Sequence, residues 1–190
     1  MVLYPSVEDQ SHPVRAIDPG SRNNVRMRPL PTYDQTLQLP GGPRVVVPEE
    51  YGDLNGHLNV RHHLGLYDDA EWAIFETFDL GDDHAERGLG GIFALEQHLI
   101  YRREVLVSDE VSVQIRLVAR KERLLHLVSY LVNHTRREVA GSMEALEGYV
   151  DFGTRRLATF PEVGATGLDS LITQARRHDW HPVLSGSIEL

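Results

Sequence analysis

Hydrophobic positions along this chain follow two spacings, one of three and four residues and one strictly alternating. Leu64, Tyr67, Ala70, Ile74 and Phe78 recur at three- and four-residue steps, which predicts a helix over 61–80. Leu66, Trp72 and Ala73 widen the apolar surface beyond one stripe, so this helix is expected to be enclosed on several sides. Gly81 is its expected stop. Farther on, Val111, Val113, Ile115 and Leu117 alternate with Ser112, Gln114 and Arg116, which predicts a strand. Strands are also predicted over 92–101, 125–132 and 138–151, with 82–91 as a loop. Polar turns at Lys121-Glu122-Arg123 and Asn133-His134-Thr135-Arg136 join them into a meander. Ahead of the helix, Thr36-Leu37-Gln38-Leu39 reads as a first strand broken by Gly41-Gly42-Pro43. Arg44-Val45-Val46-Val47 follows as a second β-rich piece stopped by Pro48. A long buried helix before four consecutive antiparallel strands is an α+β order, satisfied most simply by one sheet curling around one helix. Such a sheet leaves exposed edges, which favours pairing with a second copy.

The flanks carry less pattern. Residues 1–31 hold Pro5, Pro13, Pro19, Pro29 and Pro31 without an apolar period and read as an irregular arm. The body is expected over 32–161, and 162–190 is a C-terminal extension in which 168–177 predicts a short helix. At 190 residues with 41% apolar content, the chain is long enough to bury a sizeable core. It has no cysteine, which removes disulfides, thiolate ligands and cysteine nucleophiles. The first residues lack a basic stretch followed by an apolar run, and no apolar segment is long enough to cross a bilayer. The expectation is a cytoplasmic enzyme without a membrane partner. A formal net charge of −9 disfavours nucleic acid. It leaves room for a small anionic ligand where basic residues gather, at Arg102-Arg103, Arg120-Lys121-Glu122-Arg123 and Arg136-Arg137.

The chemistry-bearing stretch precedes the helix: Asp53-Leu54-Asn55-Gly56-His57-Leu58-Asn59. On its own, Asp53 reads first as a turn or cap residue. Gly56 permits a backbone turn or close approach of a ligand. Asn55 and Asn59 fit loop hydrogen bonding or helix capping. His57 fits fixing the loop, with donation to a ligand carbonyl as the second reading. The N–H groups of Val60, Arg61 and His62 open the helix and have no partner within it. His57, His62 and His63 stand close together, but no further ligand lies at a recognised metal spacing, so no metal is expected. Asp68, Asp69 and Glu76 read as a polar helix face, and Trp72, Phe75 and Phe78 as core.

These words in this order resemble the hotdog-fold thioesterases of the 4-hydroxybenzoyl-CoA thioesterase-like group, over about 36–161. The likeness rests on 53–59, on Leu66-Tyr67-Asp68-Asp69-Ala70, on Glu96-Gln97-His98-Leu99-Ile100-Tyr101, on Ser108-Asp109-Glu110-Val111 and on the run from Val150-Asp151 to Pro161. Asn55-Gly56-His57 with Glu96 and His98 is similar, more narrowly, to betainyl-CoA thioesterase modules. The resemblance implies a hotdog fold, a homodimer or dimer of dimers, and hydrolysis of an acyl-CoA with no cofactor beyond the CoA of the substrate. It promotes Asp53 from cap to general base or nucleophile, with Asn55, Gly56, His57 and Asn59 around it. It makes the Val60, Arg61 and His62 amides the oxyanion site. His63, Tyr67, Glu96 and His98 become pocket residues, and one of Asp68 and Asp69 the second-choice carboxylate. CoA phosphates would meet some of Arg102, Arg103, Arg120, Lys121, Arg123, Arg136 and Arg137. Val60 stands where many relatives have asparagine and His63 where many have tyrosine, so the acyl group does not carry over. Two rivals share the fold: a non-hydrolytic acyl-thioester binder, and a dehydratase of 3-hydroxyacyl-CoA using His62 or His63 with Asp68.

Overall fold

A computed structural model describes residues 29–190; the expected arm at 1–31 lies outside them up to position 28. The chain runs α1 (Tyr33–Thr36), β1 (Val45–Val46), a 3-10 turn (Glu49–Tyr51), α2 (Val60–Glu76), α3 (Asp82–Glu86), β2 (Gly90–Tyr101), β3 (Glu110–Arg120), β4 (Leu124–Asn133), β5 (Glu138–Asp151), β6 (Arg156–Leu157) and α4 (Glu162–Ala175). The strands form one six-stranded antiparallel sheet in the order β1-β3-β4-β5-β2, with β6 also on β5. The predicted helix, meander and wrapping arrangement are therefore present.

Period-two alternation decides what each face of the sheet buries. Val111, Val113, Ile115 and Leu117 of β3, Leu125, Leu127 and Leu131 of β4, and Met143 and Ala145 of β5 form the inner face. They pack on Leu66, Tyr67, Ala70, Ile74 and Phe75 of α2. Leu168 and Ile172 of α4 join the same core beside Leu80. The intervening residues Val128, Tyr130, Val132 and Val139 face outward, where Leu39 and Trp180 cover them. There the guanidinium of Arg116 donates to the carbonyls of Trp180 and Ala175, both at 2.9 Å, and lies over the Trp180 ring.

Four boundaries differ from expectation. Thr36–Leu39 is not a strand: Thr32 and Gln35 form a capping box that starts α1, and Leu37 closes it. The α2 helix ends at Glu76 rather than Leu80; Thr77 donates back to the Ile74 carbonyl at 2.6 Å, and Asp79 takes a left-handed φ of 54°. Gly81 then caps α3, a short helix within the expected loop 82–91. The C-terminal helix begins after Pro161, at Glu162 rather than 168, and takes in Gly164 and Gly167, which lie where a side chain would collide with Leu80 and Phe78.

Candidate active site

The segment before α2 is a small hairpin docked on the chain that follows β2. Asp53 N–H donates to the His57 carbonyl at 2.8 Å, and Gly56 N–H to the Asp53 carbonyl at 3.0 Å. Leu58 N–H reaches the Val105 carbonyl at 2.7 Å, and Val107 N–H the Gly56 carbonyl at 3.1 Å. Gly56 has φ 75° with nothing near a would-be side chain, so its need is the turn itself. The Oδ1 of Asp53 accepts from Asn55 N–H at 2.8 Å and His57 N–H at 3.0 Å. Those two amides, His57 first, hold the Asp53 carboxyl below its ordinary value, so it is ionised at neutral pH. Both readings of Asp53 thus have a structural basis: Oδ1 anchors the turn, while the side chain also lines a cavity.

That cavity holds about 500 Å³ and opens between the hairpin, the start of α2 and the chain leaving β2. Asp53, His57, Leu58, Asn59, Val60 and His63 line one side, with Tyr101, Arg102, Arg103, Glu104 and Val105 opposite. Asn59 is the N-cap of α2, and its Oδ1 accepts from Arg61 N–H at 3.2 Å. Its carbonyl accepts from His62 N–H at 2.9 Å. Of the three expected oxyanion amides, Arg61 and His62 are thereby engaged. The Val60 N–H has no partner among the described residues, and Val60 lines the cavity. His57 Nε2 lies 3.1 Å from Glu104, which also meets Arg136 at 3.5 Å. His62 stacks on Tyr51, with ring centroids 4.1 Å apart. His63 is buried edge-on to Tyr101, and burial pushes its imidazole down from its ordinary value.

Other expected site residues lie elsewhere. Tyr67 is fully buried beneath the sheet, where desolvation raises its phenol far above the usual range. Glu96 and His98 bond one another at 2.7 Å, and His98 pairs across strands with Glu144. Glu144 binds His126 and Ser185 N–H on the outer face, so His98 also points away from α2. Arg120 is tied to Asp169 of α4. Lys121 and Arg123 share its turn at the far end of β3, 11 residues from the cavity end and hence ~35 Å away. Arg137 reaches Asp34 and lies over Tyr33. Arg102 and Arg103 are the basic residues that line the cavity. Tyr101, Glu104 and Val105 join the lining without having been singled out; their adjacency to Arg102-Arg103 was the available signal. Among the described residues no three His, Asp or Glu side chains are grouped to hold a metal.

A second acidic feature lies outside the cavity. Glu71 of α2 and Glu147 of β5 are both buried and hydrogen-bonded to each other, and Ser129 Oγ donates to Glu71 at 2.6 Å. Desolvation, then the facing Glu147, raises Glu71; desolvation raises Glu147 to about 7. Burial therefore favours the protonated form of both carboxyls.

Among curated proteins none matches the chain. A hypothetical protein from Staphylococcus aureus, characterised in complex with CoA, superposes with TM-score 0.72 at 21% identity, covering 86% of this chain and 99% of its own. A Thermus thermophilus thioesterase complexed with coenzyme A and Zn gives TM-score 0.61 at 23% identity, covering 72% and 96%. A 1,4-dihydroxy-2-naphthoyl-CoA thioesterase from Synechocystis gives 0.61 at 11%, covering 68% and 95%. At these identities they establish the hotdog fold, and a family model supplies the rest. It matches residues 46–168, and the chain belongs to the thioesterase-like superfamily.

Proposed function

We propose that this chain hydrolyses acyl-CoA thioesters, with Asp53 as general base or nucleophile. The observation that carries the reading is that an ionised carboxylate and an unengaged amide at a helix start line one cavity. The thioester carbonyl accepts from Val60 N–H, where the positive end of α2 adds to the field. Asp53 either attacks the carbonyl carbon directly or takes a proton from an attacking water. In either case the C–S bond breaks, and CoA leaves as the thiolate and takes up a proton. The water route gives the free acid directly, whereas direct attack leaves a mixed anhydride on Asp53 that a water then hydrolyses to the free acid and the restored carboxylate. Arg102 and Arg103 would hold CoA phosphate oxygens. CoA bound to the Staphylococcus aureus and Thermus thermophilus proteins supports a CoA thioester over other thioesters.

The working unit in this reading is a homodimer. The 12-residue β2 is the sheet edge and exposes Phe93, Leu95 and Tyr101, the last of which lines the cavity. The outer face, covered by Trp180 and by the tail at Val183, whose N–H donates to the Tyr130 hydroxyl, offers less to a further pair. No helix among the described residues is long and apolar enough to cross a membrane.

Thiol release measured over short, long, aromatic and betaine-type acyl-CoAs, with parallel calorimetric titration, tests the proposal. Turnover of at least one class supports hydrolysis. Binding across the panel without thiol release points to the binder, and water loss from a 3-hydroxyacyl-CoA with the thioester intact points to a dehydratase.

A further inference from the structure

The run Ser108-Asp109-Glu110-Val111 lies outside the cavity's lining, yet it holds the chain on which the Asp53 hairpin rests. A two-stranded hairpin is marginal in water without a third strand. The tip of this one, at Leu54, Asn55 and Gly56, is exposed. Its support comes from the other side, where 105–107 pairs with 56–58. His57 and Leu106 are the register partners at the centre of that pairing.

This third strand is held in turn by one buried side chain. Asp109 is 6% exposed, and its Oδ2 accepts from Leu106 N–H at 2.9 Å and from Asn133 Nδ2 at 2.7 Å. Arg136 Nε stands 3.3 Å from the same oxygen. Between Leu106 and Asp109 the chain turns through Ser108 at φ 71°, a left-handed conformation unfavourable to a residue with a side chain. Such a turn persists where its surroundings over-determine it. Here the Asp109 carboxyl does so, together with the Ser108 N–H, which donates to the Val47 carbonyl at 2.8 Å.

Two routes lead from Asp109 to the site, and both end on His57. Along the backbone, Asp109 fixes Leu106, which faces His57, whose N–H donates to Asp53 Oδ1. Through side chains, Arg136 spans Asp109 and Glu104, and Glu104 lies 3.1 Å from His57 Nε2.

We propose that Asp109 is a positioning residue for the hydrolysis: it fixes 105–107 as the support that holds the Asp53 hairpin beside the start of α2. The inference rests on Asp53 being the general base or nucleophile.

The test uses Asp109→Ala, Asp109→Asn and Arg136→Met in the full chain. Thiol release gives kcat and KM, and amide exchange followed by NMR gives the protection of His57, Leu58 and Val107 against that of Leu127 in the middle of β4. In Asp109→Ala, kcat should fall about tenfold or more with KM nearly unchanged, because orientation is lost and CoA contacts are not. The three hairpin-side amides should exchange about tenfold faster, the scale of one lost buried hydrogen bond, while Leu127 keeps its rate. Asp109→Asn keeps an oxygen that accepts and should recover most of both effects. Arg136→Met should show a smaller loss in the same direction, and it decides the matter if Asp109→Ala does not fold. Unchanged kcat and exchange in the folded variants overturn the proposal, as does a loss of protection that spreads evenly into β4. If the unaltered protein releases no thiol, the hydrolase reading falls, whereas selective loosening of the hairpin still upholds the bracing by Asp109. Turnover with an even loss of protection does the reverse.

Discussion

Replacing Glu147 by glutamine should flatten the dependence of stability on pH. In the unfolded chain this carboxyl ionises at its ordinary 4.5, whereas the folded protein holds its proton until about 7. The folded state thus binds the extra proton between those values, and stability falls as pH rises through them. Fully developed, the penalty is roughly 3 kcal/mol, of which ~2 kcal/mol accrues between about pH 5.5 and about pH 8. Side-chain burial at 4% exposure leaves little solvent to soften it. Glutamine keeps the shape and can still bond Glu71, but has no proton to lose. Thermal denaturation of both proteins at the two pH values is the assay. The unaltered protein should lose ~4–8 °C more than Glu147→Gln on going to the higher pH, for a chain of this size. Any constant offset from the substitution cancels in that difference, as do histidines that titrate alike in both. Parallel pH profiles would refute the reasoning, because they would mean that the buried pair does not titrate in this window.

Other substitutions probe separate parts of the account. Arg102→Ala or Arg103→Ala should raise KM for an acyl-CoA by about tenfold, more at low salt, while Arg120→Ala leaves it unmoved; steady-state kinetics at two salt concentrations check this. Gly56→Ala forces a side chain into φ 75° and should cost ~1 kcal/mol, visible as a lowered denaturation midpoint. Trp180→Ala removes the ring that Arg116 and Tyr130 pack against and should cost ~3 kcal/mol in chemical denaturation.

The long elements were legible because one period dominates each. Alternation along β3 and three-four spacing along α2 leave no competing assignment. What failed was local or three-dimensional. Thr36–Leu39 carries β-formers, yet Thr32 and Gln35 form a capping box that outweighs four residues of propensity. Glu96 and His98 were expected in the pocket, but a bulge between Ala94 and Glu96 and strict alternation turn them outward. Glu71 escaped notice because a glutamate on a helix reads as a solvated face. It stands on one stripe with His63 and Tyr67 at four-residue steps, and Glu147 alternates inward with Met143 and Ala145, so the pattern held a signal. The hairpin at 53–59 was readable as a turn-rich motif. Asn59 was readable as a helix cap, but not that its cap and carbonyl would occupy the Arg61 and His62 amides and leave the Val60 amide, since that depends on backbone angles that composition does not encode.

The carboxylate of Asp53 is the point on which the functional account turns, and Asp53→Asn addresses it with the smallest change of shape. Thiol release from the best acyl-CoA of the panel is measured for both proteins, with the variant's denaturation midpoint and CoA affinity recorded beside it. The account expects release to fall by at least about a hundredfold, the scale of a lost base or nucleophile, while binding of CoA persists. Undiminished release from the folded variant would contradict it.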